Sequence, residues 1–175
     1  YAVPGAVIAV GVLISAGWLD DQINMQSQYW LDQPVGLIFS GTLSLLVFAY
    51  VARFLSVSLQ TVESGLTSIK PNIDESGFSL GSSPFRVFKR LHLPLLRPSL
   101  LTAFLLVFVD VLKELPTTLI LRPFNYNTLA VRTYEMASDE RLIDAALPAL
   151  TIVVIGLFPI LFIFRYTSKE YFRYE

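Results

Sequence analysis

The chain has 175 residues, 54% of them hydrophobic and 15% charged, and its 13 basic and 14 acidic side chains give a formal net charge of -1. This composition is typical of a membrane protein and gives no support for nucleic-acid binding. The absence of cysteine excludes a disulfide framework, a thiolate metal site and a cysteine nucleophile. The single histidine, His92, is expected at an exposed helix end rather than in a catalytic site.

Apolar segments occur at about residues 3–18, 35–58, 95–112 and 142–164. Each approaches the roughly 20 residues that a helix needs to cross a bilayer. Backbone groups have no water partners in hydrocarbon, and the uninterrupted apolar runs lack the alternation of barrel strands. The sequence therefore predicts an all-α polytopic membrane protein with one transmembrane domain over residues 1–175. The short first segment leads us to expect the C-terminal part of a longer protein.

A polar stretch separates the second and third apolar segments. Asn72 can cap a short helix with Glu75 as its capping-box partner, and Gly81 ends that helix. Pro84 follows a serine cap and begins a second short helix, which is expected to run to about Leu93. Such a helical hairpin is expected to contact a partner outside the membrane. The alternative is an ordinary amphipathic hairpin that lies on the membrane surface.

Basic residues determine the predicted orientation. They occur in or beside the polar stretch and after the last apolar segment, at Lys70, Arg86, Lys89, Arg90, Arg97, Arg165, Lys169 and Arg173. Because cytoplasmic loops carry an excess of lysine and arginine, the loop of about residues 63–94 and the C-terminus are expected in the cytoplasm. The linker of residues 19–34 contains aspartates but no basic residue, so it is expected on the opposite side.

Charged residues lie at the end of the third apolar segment. Helical spacing places Asp110 on one face with Lys113 and Glu114, and Pro116 interrupts the helix directly after them. An ionisable residue inside a membrane costs roughly 2.5–3.5 kcal/mol on insertion scales, so it usually faces a bundle interior or an aqueous cavity. These residues are candidates for a translocation path or gate. An Asp110–Lys113 ion pair that only fixes helix packing is the alternative, and the turn at residues 121–127 is either gate or connector.

The polar stretch resembles the E-A-A, G, I-x-L-P loop of ATP-binding-cassette (ABC) importer permeases. The matching residues are Glu75, Gly81, Leu91, Leu93 and Pro94. Ser76 and Gly77 replace the paired alanines, and Leu91 replaces isoleucine. The resemblance implies a type I permease helical bundle whose cytoplasmic coupling helices dock into a groove on an ATPase subunit. The residues it assigns to coupling are Glu75, Ser76, Gly77, Gly81, Phe85, Phe88, Leu91, Leu93 and Pro94, with Phe78 as a further apolar anchor and Arg86, Lys89 and Arg90 as the rim.

A second resemblance begins at the charged cluster. The matching stretches are residues 108–116, 118–119, 121–124, 128–131 and 145–150, and they are similar to iron(III) importer permeases. This similarity implies ferric iron as the cargo, with thiamine, sulfate and polyamine permeases as alternatives of the same architecture. Acidic residues near the presumed path and eight tyrosines suit a hard cation, although no ligand set for the metal is predicted.

The chain is not expected to be an enzyme. It has neither a GxxxxGK[ST] phosphate loop nor an HExxH motif, so ATP and Mg²⁺ are expected on a separate ATPase dimer, with no cofactor bound directly. The resemblance further implies a periplasmic binding protein, a second permease half that is fused or separate, and the lipid of a bacterial inner membrane. Two rival functions stay open: an ion-coupled secondary transporter that uses Asp110 or Glu114 as a proton relay, and a structural membrane-assembly subunit.

Overall fold

The computed structural model describes the backbone of residues 3–70 and 72–171, and all of the regular structure in these ranges is helical. The helices are α1 (Gly5–Leu31), α2 (Leu43–Thr67), α3 (Asn72–Ser79), α4 (Pro84–Val87), α5 (Leu93–Leu112), α6 (Pro116–Leu121), α7 (Leu129–Ser138) and α8 (Leu142–Tyr171), with a π-helical turn, Phe88–His92, between α4 and α5. The predicted all-α fold is therefore confirmed.

Within the described ranges, four helical segments are long and apolar enough to cross a membrane: Gly5–Leu31, Leu43–Thr67, Pro84–Leu112 and Leu142–Leu161. They are the candidates for the spans of a polytopic protein. The first has 27 residues and is about 40 Å long at 1.5 Å per residue, which exceeds the roughly 30 Å hydrocarbon core. Its polar end therefore has the length to continue beyond the hydrocarbon.

The prediction of a linker at residues 19–34 is wrong for most of this range, because α1 continues as a helix to Leu31. Polar side chains on this part of α1 bind the chain that folds back after it. The Asp20 carboxylate accepts backbone N–H groups of residues 38–40 at 2.8–3.0 Å, and Asn24 exchanges two hydrogen bonds with the backbone of Gly36. Asp20, one of the aspartates of the expected linker, thus lies with Asn24 on the loop-binding face of a helix.

The described chain contains two compact units. The first comprises residues 3–54 and 110–158, and in it α1 packs against α6. Its buried apolar cluster consists of Ala9, Ala16, Leu45, Leu46, Ala49 and Leu121. The alanines on α1 leave room for close approach of neighbouring helices, which is how helices associate where lipid competes equally for apolar surface.

The second unit comprises residues 55–109, apart from residue 71, and the part of α8 from residue 159 onwards. Here α2 and α5 approach closely at Gly65. A Cβ atom added to Gly65 would overlap the side chain of Ser99 and lie 3.3 Å from Leu96 Cδ2. Glycine at this position therefore permits the helices to touch.

The second unit also contains the polar hairpin, which we define as residues 72–93. Gly81 has a φ of +75° and ends the turn after α3, as predicted. Asn72 lies within α3 rather than capping it. The second short helix was expected to end near Leu93, but it continues through the π-helical turn into α5.

The π-helical turn explains how the helix passes Pro94. The backbone N–H of Leu93 binds the carbonyl of Phe88, five residues earlier, rather than the carbonyl four residues earlier. In an α-helix, the ring of Pro94 would clash with the Arg90 carbonyl, and Pro94 has no N–H to donate to it. The wider turn accommodates this proline without ending the helix.

Candidate functional site

The predicted coupling residues lie on the two arms of the polar hairpin, which pack together at Gly77. A Cβ atom added to Gly77 would lie 2.9 Å from Val87 Cγ2 and 3.3 Å from Leu91 Cδ1. Gly77 and Val87 are buried and Leu91 is partly buried, so these residues hold the arms together. Their role in the described structure is the internal packing of the hairpin.

A second contact joins the arms at His92. Its Nε2 atom lies 2.5 Å from Asp74 Oδ1, and the side chains of His92 and Asp74 are 15% and 40% exposed. The prediction that His92 is exposed at a helix end is therefore wrong. The contact ties the first turn of α3 to the π-helical turn.

The outer surface of the hairpin carries aromatic and basic side chains. Phe78, Phe85 and Phe88 are 49%, 73% and 51% exposed. The other exposed residues of the predicted set are Glu75, Ser76, Gly81, Leu93 and Pro94, and the basic residues Arg86, Lys89 and Arg90 are exposed beside them. An exposed apolar surface with a basic rim is a feature of protein-binding sites, in which aromatic anchors contribute much of the binding energy.

The charged cluster at the end of α5 divides into two pairs. Asp110 and Lys113 form an ion pair at 3.0 Å, as one of the sequence interpretations proposed. Glu114 instead binds Arg53 of α2, with Glu114 Oε1 2.5 Å from Arg53 Nη1. Pro116 begins α6, where its missing N–H leaves no helical carbonyl unpaired.

Glu114 and Arg53 belong to a buried polar network at the start of α6. Glu114 Oε1 accepts the backbone N–H of Thr117 at 3.0 Å and the Thr117 hydroxyl at 2.7 Å, while Arg53 Nη1 donates to Thr117 Oγ1 at 2.9 Å. The Thr118 hydroxyl donates to the Glu114 carbonyl at 2.8 Å. It therefore accepts its hydrogen bond with Tyr50 from the tyrosine hydroxyl.

The sequence did not lead us to predict Arg53 as a site residue. The signal was a single arginine inside the apolar segment of residues 35–58, and an ionisable residue in such a segment indicates a partner. Spacing could not identify that partner, because Glu114 lies 61 residues away along the chain.

The turn after α6 is braced by a third polar cluster. Arg122 Nη2 donates to Glu135 Oε1 at 2.9 Å, and Asn127 donates to Glu135 Oε2 at 3.0 Å while also binding Arg122. Phe124 at the turn is 95% exposed. These contacts fix the shape of the turn at residues 121–127. Throughout the described residues, these clusters included, no group of three or more histidine, cysteine, aspartate or glutamate side chains is placed to hold a metal ion.

The sequence was compared with known proteins. Residues 1–169 match the family described as "binding-protein-dependent transport system inner membrane component". An Fe(3+)-transport system permease protein of Haemophilus influenzae is 30% identical over 170 residues, which cover 97% of this chain and 30% of that protein. A Salmonella typhimurium permease named for 2-aminoethylphosphonate transport is 26% identical over 156 residues, with 89% of this chain and 52% of that protein covered.

A third similar protein is a Chlorella vulgaris permease named for sulfate transport, which is 26% identical over 150 residues, with 84% of this chain and 53% of that protein covered. The chain thus spans between about a third and a half of the length of these relatives. The match confirms the resemblance to importer permeases that the polar stretch indicated. The chain belongs to the family of binding-protein-dependent transport system inner membrane components.

Proposed function

We propose that this chain is part of the membrane-spanning permease subunit of an ATP-driven ABC importer. In this function a periplasmic binding protein delivers the cargo, and a separate ATPase dimer binds ATP and Mg²⁺ and drives the transport. The family match and four helices of sufficient length and apolarity support the proposal. A second permease half, fused or separate, would complete the pathway.

The polar hairpin is the observation that carries this proposal. Its two arms are fixed to each other at Gly77 and through the contact between Asp74 and His92, while Phe78, Phe85 and Phe88 remain exposed. A rigid element with exposed aromatic anchors can transmit movement of an ATPase into the helix that continues from it. We place the hairpin and the C-terminus in the cytoplasm of a bacterial cell, because basic residues concentrate there.

Ferric iron is the cargo that we propose. The support comes from relatives, since permeases named for ferric transport are 25–30% identical to this chain over 170 residues. Permeases named for 2-aminoethylphosphonate and sulfate transport are 26% identical, so they define the competing cargoes. Competition between labelled ferric iron and each anion in an uptake assay discriminates among them.

The test uses the full-length permease, reconstituted in liposomes with its ATPase and binding protein. Glu75→Gln and Gly81→Val are expected to abolish ATPase copurification or iron uptake while membrane insertion is unchanged. Asp21→Asn is the matched control, because Asp21 is an exposed acidic residue on α1, outside the hairpin. Normal copurification and uptake in both hairpin variants would contradict the proposal. Uptake that follows a proton gradient without ATP would select the secondary transporter instead.

Orientation has an independent test. The sequence contains no cysteine, so a Ser83→Cys variant places a single thiol on an exposed position of the hairpin. In a full-length protein without other cysteines, a membrane-impermeant maleimide should label this thiol only after the cytoplasmic face is opened. Labelling of intact cells from the outside would refute the cytoplasmic assignment.

A further inference from the structure

We propose that Arg53 is a positioning residue for the start of α6, and that Glu114 acts with it as a clamp rather than as a proton carrier or a cargo ligand. The inference rests on the proposed transport function, because Glu114 was a candidate for the translocation path. It assigns a role to Arg53 and separates Glu114 from Asp110 and Lys113.

The first argument is the coordination of the Glu114 carboxylate. A single oxygen, Oε1, accepts from Arg53, from the backbone N–H of Thr117 and from the Thr117 hydroxyl. The backbone N–H in the first turn of a helix has no partner inside that helix, so this carboxylate supplies it. Rotation of Glu114 toward a cargo would leave this N–H without its acceptor and would leave the Arg53 guanidinium, which also donates to Thr117 Oγ1, without its carboxylate partner.

The second argument is burial. The side chain of Glu114 is 6% exposed and that of Arg53 is 19% exposed. An arginine side chain stays protonated in proteins, so a Glu114 that took up a proton would leave a poorly solvated positive charge beside it. Each cycle of a proton relay would carry this penalty, whereas a permanent clamp avoids it.

The third argument is the convergence of three elements. Tyr50 and Arg53 are one turn apart on α2, and they bind the neighbouring residues Thr118 and Thr117 of α6. On α1, a Cβ atom added to Gly5 would overlap the Arg53 guanidinium and lie 2.6 Å from Thr117 Oγ1. The network is thus enclosed by backbone as well as by side chains, and α6 is held against both α1 and α2.

Among the charged residues of the predicted path, Lys113 is the accessible one. The side chain of Lys113 is 63% exposed and pairs with Asp110, whose side chain is 16% exposed, whereas Glu114 is 6% exposed. If charged residues of this segment contact cargo, the pair of Asp110 and Lys113 is better placed to do so.

A double-substitution cycle tests the clamp in the reconstituted full-length complex. Arg53→Gln and Glu114→Gln should each lower the maximum uptake rate by about tenfold or more, because each leaves an uncompensated buried charge. The double variant Arg53→Gln/Glu114→Gln removes both charges and should recover to within about threefold of the unmodified complex. Arg132→Gln is the matched control, since Arg132 is itself exposed and lies 3.9 Å from its partner Glu135, so its loss should have no effect.

The pH profile separates a clamp from a proton carrier. The double variant should keep the pH dependence of uptake and the half-saturating concentration of the loaded binding protein. A double variant that inserts normally but is as inactive as Glu114→Gln would overturn the inference. Glu114 would then be assigned a direct role in carrying protons or binding cargo.

Thermal unfolding of the purified full-length permease provides a readout that does not depend on transport. Both single variants should unfold at a lower temperature, and the double variant should regain much of that loss. Should the unmodified complex show no ATP-dependent uptake, the proposed function fails, while the clamp is still judged by this unfolding cycle. Equal unfolding temperatures for all four proteins would refute the clamp.

Discussion

Gly77 is the glycine of the polar hairpin at which an added side chain would meet close neighbours, whereas Gly81 has open space. An added Cβ atom would lie 2.9 Å from Val87 Cγ2 and 3.3 Å from Leu91 Cδ1, whereas carbon atoms pack best at about 3.5–4.0 Å. Val87 is 3% exposed, and its branched side chain has little rotational freedom with which to retreat. A substitution at Gly77 therefore forces the arms of the hairpin apart.

Two opposing effects set the size of the change in local stability. Overpacking of a tight contact typically costs about 1–3 kcal/mol, while alanine is favoured over glycine within a helix by about 1 kcal/mol. Gly77→Ala should therefore destabilise the hairpin by about 0–2 kcal/mol. Gly77→Leu adds three further carbon atoms to the same gap, so its overpacking cost should reach about 3 kcal/mol. After the similar helical preference of leucine is subtracted, the net destabilisation should be about 2 kcal/mol.

Hydrogen–deuterium exchange of the membrane-embedded full-length protein measures this local change. Since about 1.4 kcal/mol is a factor of ten, Gly77→Leu should accelerate exchange in α3 and α4 by about 30-fold. Ser76→Leu is the matched control, because Ser76 is exposed on the same helix, and it should leave exchange nearly unchanged. Adding Val87→Ala to Gly77→Ala should slow exchange again, because the smaller side chain vacates the contact. Exchange at the unmodified rate in Gly77→Leu would refute the packing argument.

Two further contacts give predictions for single substitutions. Asp20→Asn removes the carboxylate that binds three backbone N–H groups, so the loop at residues 36–42 should become sensitive to limited proteolysis, whereas Asp21→Asn at an exposed position should not change cleavage. Asp74→Ala breaks the contact with His92 and should accelerate hydrogen exchange in α3, while Asp74→Asn, which keeps an acceptor oxygen, should have a smaller effect. Unchanged cleavage would show that Asp20 does not stabilise the loop, and unchanged exchange would show that Asp74 does not stabilise the hairpin.

The sequence was sufficient for the features that depend on local chemistry. Long apolar segments indicated membrane helices because their composition alone determines that property. Gly81 indicated the turn after α3, since its φ of +75° is a conformation that glycine adopts without strain. Pro84 indicated the start of α4 in the same way, because its backbone suits the first turn of a helix.

The features that depend on distant parts of the chain could not be predicted. Asp20 looked like part of a surface linker, because its partners at residues 38–40 become visible only when the chain folds back along α1. Glu114 was grouped with Asp110 by helical spacing, although the helix ends between them at Leu112. The Glu114 carboxylate instead binds Arg53. No local sequence pattern indicates that these two residues are neighbours.

The π-helical turn connects the proline of the L-x-L-P sequence to the packing of the hairpin. Pro94 disfavours a regular α-helical turn before it, and the wider turn that replaces it has more residues per turn, so consecutive side chains diverge less. Leu91 and His92 consequently both reach α3, one at Gly77 and the other at Asp74. The proline thus acts at a distance of two to three residues, because it shapes the backbone that directs these two side chains, and it does so while the helix continues into α5. Gly77 on α3 and Pro94 at the start of α5 therefore contribute to the same packing contact between the two arms of the hairpin.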